Sequence, residues 1–220
     1  MPRWSSTLAL ACFGLVAAVD LMAELAGRQQ IALACRMLLM PLLAWFCWTA
    51  AAHRSRLVIL VVVALGFSWL GDLNADVLIK IGFFLVAQIV YILAFRPYWR
   101  RSLIARPSLL VAYGIALAAL IGVVAAAAGP LAGPVAVYGA SLAVMAVLAT
   151  GISRLAGIGG ALFLISDIIL AVELFVAPGA IPYALVANMA LYLPAQLMIT
   201  LGVLQRVSTE VEWSVADRVA

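Results

Sequence analysis

Long apolar runs alternate with short polar breaks along this chain. Eight runs reach the about 17–25 apolar residues that a helix needs to cross a bilayer: 5–26, 30–51, 57–73, 76–96, 108–128, 134–153, 155–177 and 180–204. The breaks carry turn and charge signals. Gly27-Arg28-Gln29-Gln30 ends the first run and His53-Arg54-Ser55-Arg56 ends the second, while Asp72-Leu73-Asn74-Ala75-Asp76 forms a tight polar turn. Arg96-Pro97 through Arg106-Pro107 is the longest loop, and Gly129-Pro130 to Gly133-Pro134 and Pro178-Gly179 to Pro182 are breaker loops. The pattern predicts an all-α polytopic membrane protein. One eight-helix transmembrane domain is expected over 1–204, followed by a short polar cytoplasmic tail over 205–220.

The first run is read as a span and not as a cleaved leader. Asp20 and Glu24 interrupt it, its apolar core is long, and no small-x-small site follows. A faint echo joins the halves: Gly71-Asp72-Leu73 resembles Ser166-Asp167-Ile168, and Val86-Ala87-Gln88 resembles Val186-Ala187-Asn188. This would fit two parallel four-helix halves, although so few matches in an apolar chain also arise by chance.

The basic residues set the orientation. With the N-terminus cytoplasmic, Arg3, Arg54, Arg56, Arg96, Arg100, Arg101, Arg106, Arg154, Arg206 and Arg218 all fall inside. Arg28 alone falls outside, and Arg36 and Lys80 lie within spans. Both termini are therefore expected in the cytoplasm of a cell with this protein in its inner (cell) membrane.

Composition agrees and removes whole classes of function. The 220 residues are 68% hydrophobic and 10% charged, against roughly 25% charged in a soluble chain. The single His, His53, lies in a polar break, which argues against a zinc hydrolase with His ligands and against an intramembrane Ser-His dyad. Cys12, Cys35 and Cys47 lie in apolar runs without a CxxC and read as packing residues. The net charge of +4 reflects topology, so no nucleic-acid partner is expected, and neither a metal nor a cofactor is called for.

Ionisable groups inside spans cost several kcal/mol unless paired or facing a cavity, so each is a candidate for function. They are Asp20, Glu24, Arg36, Asp72, Asp76, Lys80, Asp167 and Glu173. At about 1.5 Å of rise per residue, all eight fall in the outer half of the membrane, which suggests one polar cavity opening outward. Lys80, Phe84, Gln88 and Tyr91 share one helix face, as do Asn188, Tyr192 and Gln196; Ser166 and Glu173 share another, which Asp167 adjoins. Plainer readings stand beside these. Asp76 fits a helix N-cap, and Glu24 and Glu173 fit solvated interfacial groups. Asp20 with Arg36 fits a structural ion pair, and Asn188 and Gln196 fit interhelical hydrogen-bonding residues. Asp72 and Asp167, each after a small residue in Leu/Ile/Phe surroundings, fit such readings least.

Two blocks carry a family resemblance. Phe67-Ser68-Trp69-Leu70-Gly71-Asp72-Leu73, then Gly82-Phe83-Phe84 and Tyr91, resembles the first motif of the YhhN-like lysoplasmalogenases. Gly160-Ala161-Leu162-Phe163-Leu164-Ile165-Ser166-Asp167, then Tyr192 and Ala195-Gln196, resembles the second. The family's eight-span layout fits the count above. One departure matters: the family pattern has His where this chain has Gln88, and Gln cannot shuttle a proton near neutral pH.

The resemblance implies hydrolysis of the vinyl ether of a lysoplasmalogen to a fatty aldehyde and a glycerophospho-alcohol. That chemistry needs a proton delivered to the alkene carbon and water to capture the resulting oxocarbenium ion. Glycosidases divide similar labour between two carboxylates. Asp72 and Asp167 are the candidate catalytic pair, in either order of roles. Arg36 and Lys80 would neutralise a lipid phosphate, with Gln88, Tyr91, Asn188, Tyr192 and Gln196 as further substrate-binding candidates. Asp20, Glu24, Ser166 and Glu173 complete the cavity candidates, and the chain would lie among Phe83, Phe84 and Phe163. The expected partner is a lysophospholipid or related ether lipid.

Rival classes read differently. An intramembrane aspartyl protease needs GxGD, and Trp69 occupies the first glycine position here; Ser166-Asp167 also replaces its Tyr-Asp. A multi-span small-molecule or proton-coupled transporter would use the same intramembrane charges. It would accumulate an unchanged solute in vesicles, whereas a hydrolase consumes lipid in detergent. A non-catalytic lipid-binding protein is a third reading, favoured by Gln88.

Overall fold

The computed structural model describes residues 3–105 and 107–219. Arg106 lies outside the described residues, as do the side chains of Arg3 and Arg218. The described chain is all-α. Its helices are α1 (Arg3–Leu25), α2 (Gln29–Ala50), α3 (Arg56–Asp72), α4 (Val77–Phe95), α5 (Pro107–Ala127), α6 (Ala132–Ala149), α7 (Arg154–Ala171) and α8 (Ala184–Val219). Short 3-10 turns follow α4 and α5, and one π turn, Val172–Val176, extends α7.

Local chemistry sets the helix ends. The side chains of Ser55, Asp76 and Ser153 accept the first free amides of α3, α4 and α7, from Val58 (3.4 Å), Ile79 (2.9 Å) and Ala156 (3.1 Å). Asp76 is thus the N-cap that the tight turn suggested. Gly27, at φ +67°, closes α1: only a residue without Cβ takes that angle cheaply, and it lets the Arg28 amide reach back to the Ala23 carbonyl at 2.8 Å.

Among the described residues six helices are long and apolar enough to cross a membrane: Trp4–Leu25, Gln29–Ala50, Val77–Ala105, Gly129–Ala149, Arg154–Val176 and Ala184–Val211. The other two are shorter. α3 has 17 residues, at the low edge of a spanning length, and the described apolar part of α5 is Tyr113–Ala127. Large apolar side chains such as Leu8, Leu15, Trp45 and Ile115 stand more than half exposed around the perimeter, as lipid-facing groups do. The protein is an integral membrane protein.

A span was expected over 180–204 with a short polar tail after it; α8 starts at Ala184 and continues as helix through that tail to Val219. No Gly or Pro follows Gly202 to stop it. Arg206 bonds Glu210 one turn on (3.0 Å) and stacks over the Tyr98 ring at 4.9 Å, which ties the extension to the turn after α4.

Packing centres on α7. It packs most extensively on α8, and the antiparallel pairs α1/α2 and α3/α4 come next. Glycines allow this closeness. A Cβ on Gly159 would meet the Ala195 carbonyl oxygen at 2.7 Å, and one on Gly202 would meet the Ala156 nitrogen at 2.6 Å. Leu39, Met40 and Leu43 of α2, Val58, Val61 and Leu65 of α3, and Phe163 and Ile199 fill the space between. α5 stays peripheral, packed chiefly on α6.

Candidate functional site

Asp72 is the last residue of α3, and Asp167 lies one turn before the end of α7. The Tyr192 hydroxyl of α8 donates to Asp72 Oδ2 at 3.0 Å. Behind it, the Gln196 amide donates to the Tyr192 oxygen at 3.4 Å and to Ser68 Oγ at 3.2 Å, while Gln196 Oε1 accepts from the Tyr91 hydroxyl at 2.7 Å. The Asp167 carboxylate has a parallel arrangement. The Tyr138 hydroxyl of α6 donates to Oδ2, and the Gln88 amide of α4 donates to Tyr138 at 3.2 Å. Each aspartate is thus held by a tyrosine that is itself held by a glutamine.

The proton count fixes the sense of the second relay. Tyr138 has one hydroxyl proton and gives it to Asp167, so Gln88 must present its NH2 group. Its Oε1 is then buried without a partner among the described residues. The Ser166 hydroxyl lies 2.7 Å from the Phe163 carbonyl and 3.3 Å from Asp167 Oδ1, so it is shared between the two acceptors. Each carboxylate has one oxygen anchored by a phenol, and Asp167 Oδ1 also faces the Ser166 hydroxyl.

Both aspartates line one cavity, with Tyr138, Tyr192 and Asn188 beside them and Arg36 and Lys80 on the same wall. Phe84, Leu174, Phe175 and Leu185 supply apolar surface. The cavity encloses about 110 Å3, room for several waters at about 10–15 Å3 each. Phe84, Phe163 and Tyr192 meet edge-to-face with centroids 5.3–6.3 Å apart, which locks the Tyr192 ring. Phe84 also lies where a Cβ on Gly71 would sit, at 2.6 Å, so Gly71 permits the approach of α4 to the end of α3.

The two cations differ. The Arg36 guanidinium is bonded to Glu24 and lies 3.5 Å from Asp20 Oδ1, so α1 supplies two carboxylates that hold it at the cavity edge. Asp20 is fully buried. Among the described residues Lys80 makes no ion pair, and its ammonium is the cation left for a ligand.

The structure brings Arg36, Asp72, Lys80, Asp167, Asn188 and Tyr192 to one cavity wall. Gln88, Tyr91 and Gln196 stand behind that wall as buried supports. Asp20 and Glu24 reach the site through Arg36, and Ser166 is buried, its carbonyl accepting from the Asn188 amide at 2.9 Å. Glu173 does not line the cavity. It accepts the backbone amides of Gly179 (2.7 Å) and Ile181 (3.3 Å) and so closes the loop before α8; a carboxylate beside a turn with free amides is better satisfied there. Phe163 is sealed in the core, and Phe83 is not among the lining residues.

Sequence reasoning missed Tyr138 and Ser68. Tyr138 is the one aromatic residue of α6, and that isolation was the available signal. Ser68 stood inside a quoted motif without a role. His53 lines a separate recess with Trp48 and Arg54. Among the described residues no group of three or more His, Cys, Asp or Glu converges to hold a metal, so the possible anionic ligands in the cavity are the two aspartates.

No curated protein and no solved structure matches the chain. A family model described as the YhhN family matches residues 31–203, a stretch that holds the whole cavity and leaves out Asp20 and Glu24.

Proposed function

The chain belongs to the YhhN family, and on that premise we propose that it hydrolyses the vinyl-ether bond of lysoplasmalogen-type lysophospholipids. The products are a fatty aldehyde and a glycerophospho-alcohol. One observation carries the reading: two aspartates, each aimed by a tyrosine, share a cavity with a Lys and an Arg. Two carboxylates suit a reaction in which one group delivers a proton to the alkene carbon and the other steadies the cation and activates water. Protonation creates the C–H bond and an oxocarbenium ion; water adds to its carbon, and the hemiacetal collapses to aldehyde and alcohol. Lys80 and Arg36 meet the phosphate, and Asn188 orients the headgroup or water.

In this reading all eight helices span the membrane in two four-helix halves, which contribute Asp72 and Asp167 respectively. Both termini are cytoplasmic and the cavity lies in the outer half. No step calls for a cofactor.

The test is aldehyde release from lysoplasmenyl-ethanolamine or -choline by protein in mild detergent, followed by mass spectrometry. Asp72→Asn and Asp167→Asn are each expected to lower turnover by about 10²-fold or more, with melting behaviour retained. Full activity in either folded variant removes that aspartate from the mechanism.

A further inference from the structure

Behind Asp167 a second, apolar pocket runs between α5, α6 and α7. Leu117, Leu120 and Ile121 of α5, Leu142 of α6 and Leu164 of α7 form its walls. Its only polar groups, Tyr138 and Asp167, also line the aspartate cavity, and Val135 and Ala171 are shared as well. The two spaces are therefore adjoining chambers of opposite character that meet at the Tyr138–Asp167 pair.

We infer that this pocket receives the hydrocarbon chain of a single-chain lipid, next to its reacting bond. The inference rests on the lysophospholipid reading above and adds which part of the ligand goes where. An amphiphile with an anionic headgroup would place the phosphate by Lys80 and Arg36, its linkage between the aspartates, and its first methylenes past Asp167. From Leu117 to Val124, and from Val135 to Leu142, the pocket follows its helices for roughly 10 Å at about 1.5 Å per residue. That covers the start of a chain, and the remainder continues into the bilayer. The peripheral position of α5 suits lateral entry, because one wall is a helix attached chiefly to α6.

Gly139 lets α5 approach α6 beside the pocket. A Cβ there would meet Ile121 Cγ1 at 3.0 Å and Cδ1 at 3.4 Å, so a large side chain at 139 must push Ile121, a pocket-lining residue, out of its place.

The test is photolabelling of the full chain in detergent with lysophosphatidylethanolamine carrying a mid-chain diazirine, with adducts mapped by mass spectrometry. Label is expected on the peptides containing Leu120, Ile121 and Leu164. Gly139→Leu should reduce it by at least about tenfold, and adding Ile121→Ala should restore it. Leu120→Trp, approaching from the opposite wall, serves if Gly139→Leu melts early. Label confined to perimeter residues such as Leu15 and Trp45, or unchanged in a folded blocking variant, overturns the inference. Aldehyde release with label elsewhere removes this pocket and keeps the hydrolase. Pocket label without aldehyde keeps the pocket and removes the vinyl-ether reaction.

Discussion

The Tyr192 hydroxyl donates to Asp72 at 3.0 Å across 120 positions of sequence, joining the end of α3 to the first third of α8. Its counterpart joins Tyr138 to Asp167 across 29 positions. A phenol holds one oxygen of each carboxylate, and a glutamine behind each phenol donates to it.

Removing either phenol should misdirect its carboxylate without removing it. Tyr192→Phe and Tyr138→Phe keep the ring packing and delete both the bond to the aspartate and the bond from the glutamine behind it, at about 0.5–1.5 kcal/mol for each neutral bond and more for one to an ionised carboxylate. Turnover should fall by roughly 10- to 100-fold, with KM changing little. Tyr91→Phe, which touches Gln196 and neither aspartate, should cost less. Steady-state aldehyde release separates the three; equal losses would show that the phenols act only through packing.

Gln88 should tolerate His better than Ala. His can donate to Tyr138 as the amide now does, whereas Ala leaves that phenol unsupported. Gln88→His is expected to retain activity and to change the pH–rate profile near neutrality from that of the wild type. Gln88→Ala should lose about tenfold or more. A pH–rate profile in the His variant that matches the wild type would mean the ring does not couple to Asp167.

Arg36 is expected to matter for stability as well as for binding. Arg36→Leu leaves buried Asp20 uncompensated, and breaking such a pair costs about 3–5 kcal/mol. Adding Asp20→Asn should recover a large part of that loss. Thermal melts in one detergent, run as a double-mutant cycle, check the coupling; additive effects would refute it.

Lys80 should act on the ligand's charge alone. Lys80→Met is expected to raise KM for a phosphate-bearing substrate by about tenfold and to leave kcat nearly unchanged. For an uncharged alkenyl glycerol the change should vanish. A matching loss on both substrates would assign Lys80 to the fold and not to the headgroup.

Much of the architecture was legible because membrane helices announce themselves by length and apolarity. The turn at Asp72–Asp76, the N-cap at Asp76 and the all-α class follow from local chemistry that needs no distant partner. The intramembrane charges were legible for a similar reason: an ionisable group in an apolar run is costly unless it has a task or a partner. Asp72, Asp167, Arg36 and Lys80 stood out on that ground, and they share one cavity.

Roles that depend on a partner were a different matter. Glu173 fitted both a cavity group and an interfacial one until the turn after the π segment offered it two amides, and the contact of Arg206 with Tyr98 joins elements about a hundred positions apart. Tyr138 carried no charge to mark it, because a tyrosine in an apolar helix is ordinary until a carboxylate from another helix meets its hydroxyl. By itself the sequence determined the helices, their breaks and the few groups too polar to be there without cause, since these depend on neighbours along the chain. Only the tertiary structure decided that Tyr138 and Tyr192 hold the aspartates, that Gln88 and Gln196 stand behind them, and that an apolar pocket adjoins Asp167. Hydrogen bonds and cavities between helices depend on which faces meet, and that is settled by packing across the whole bundle.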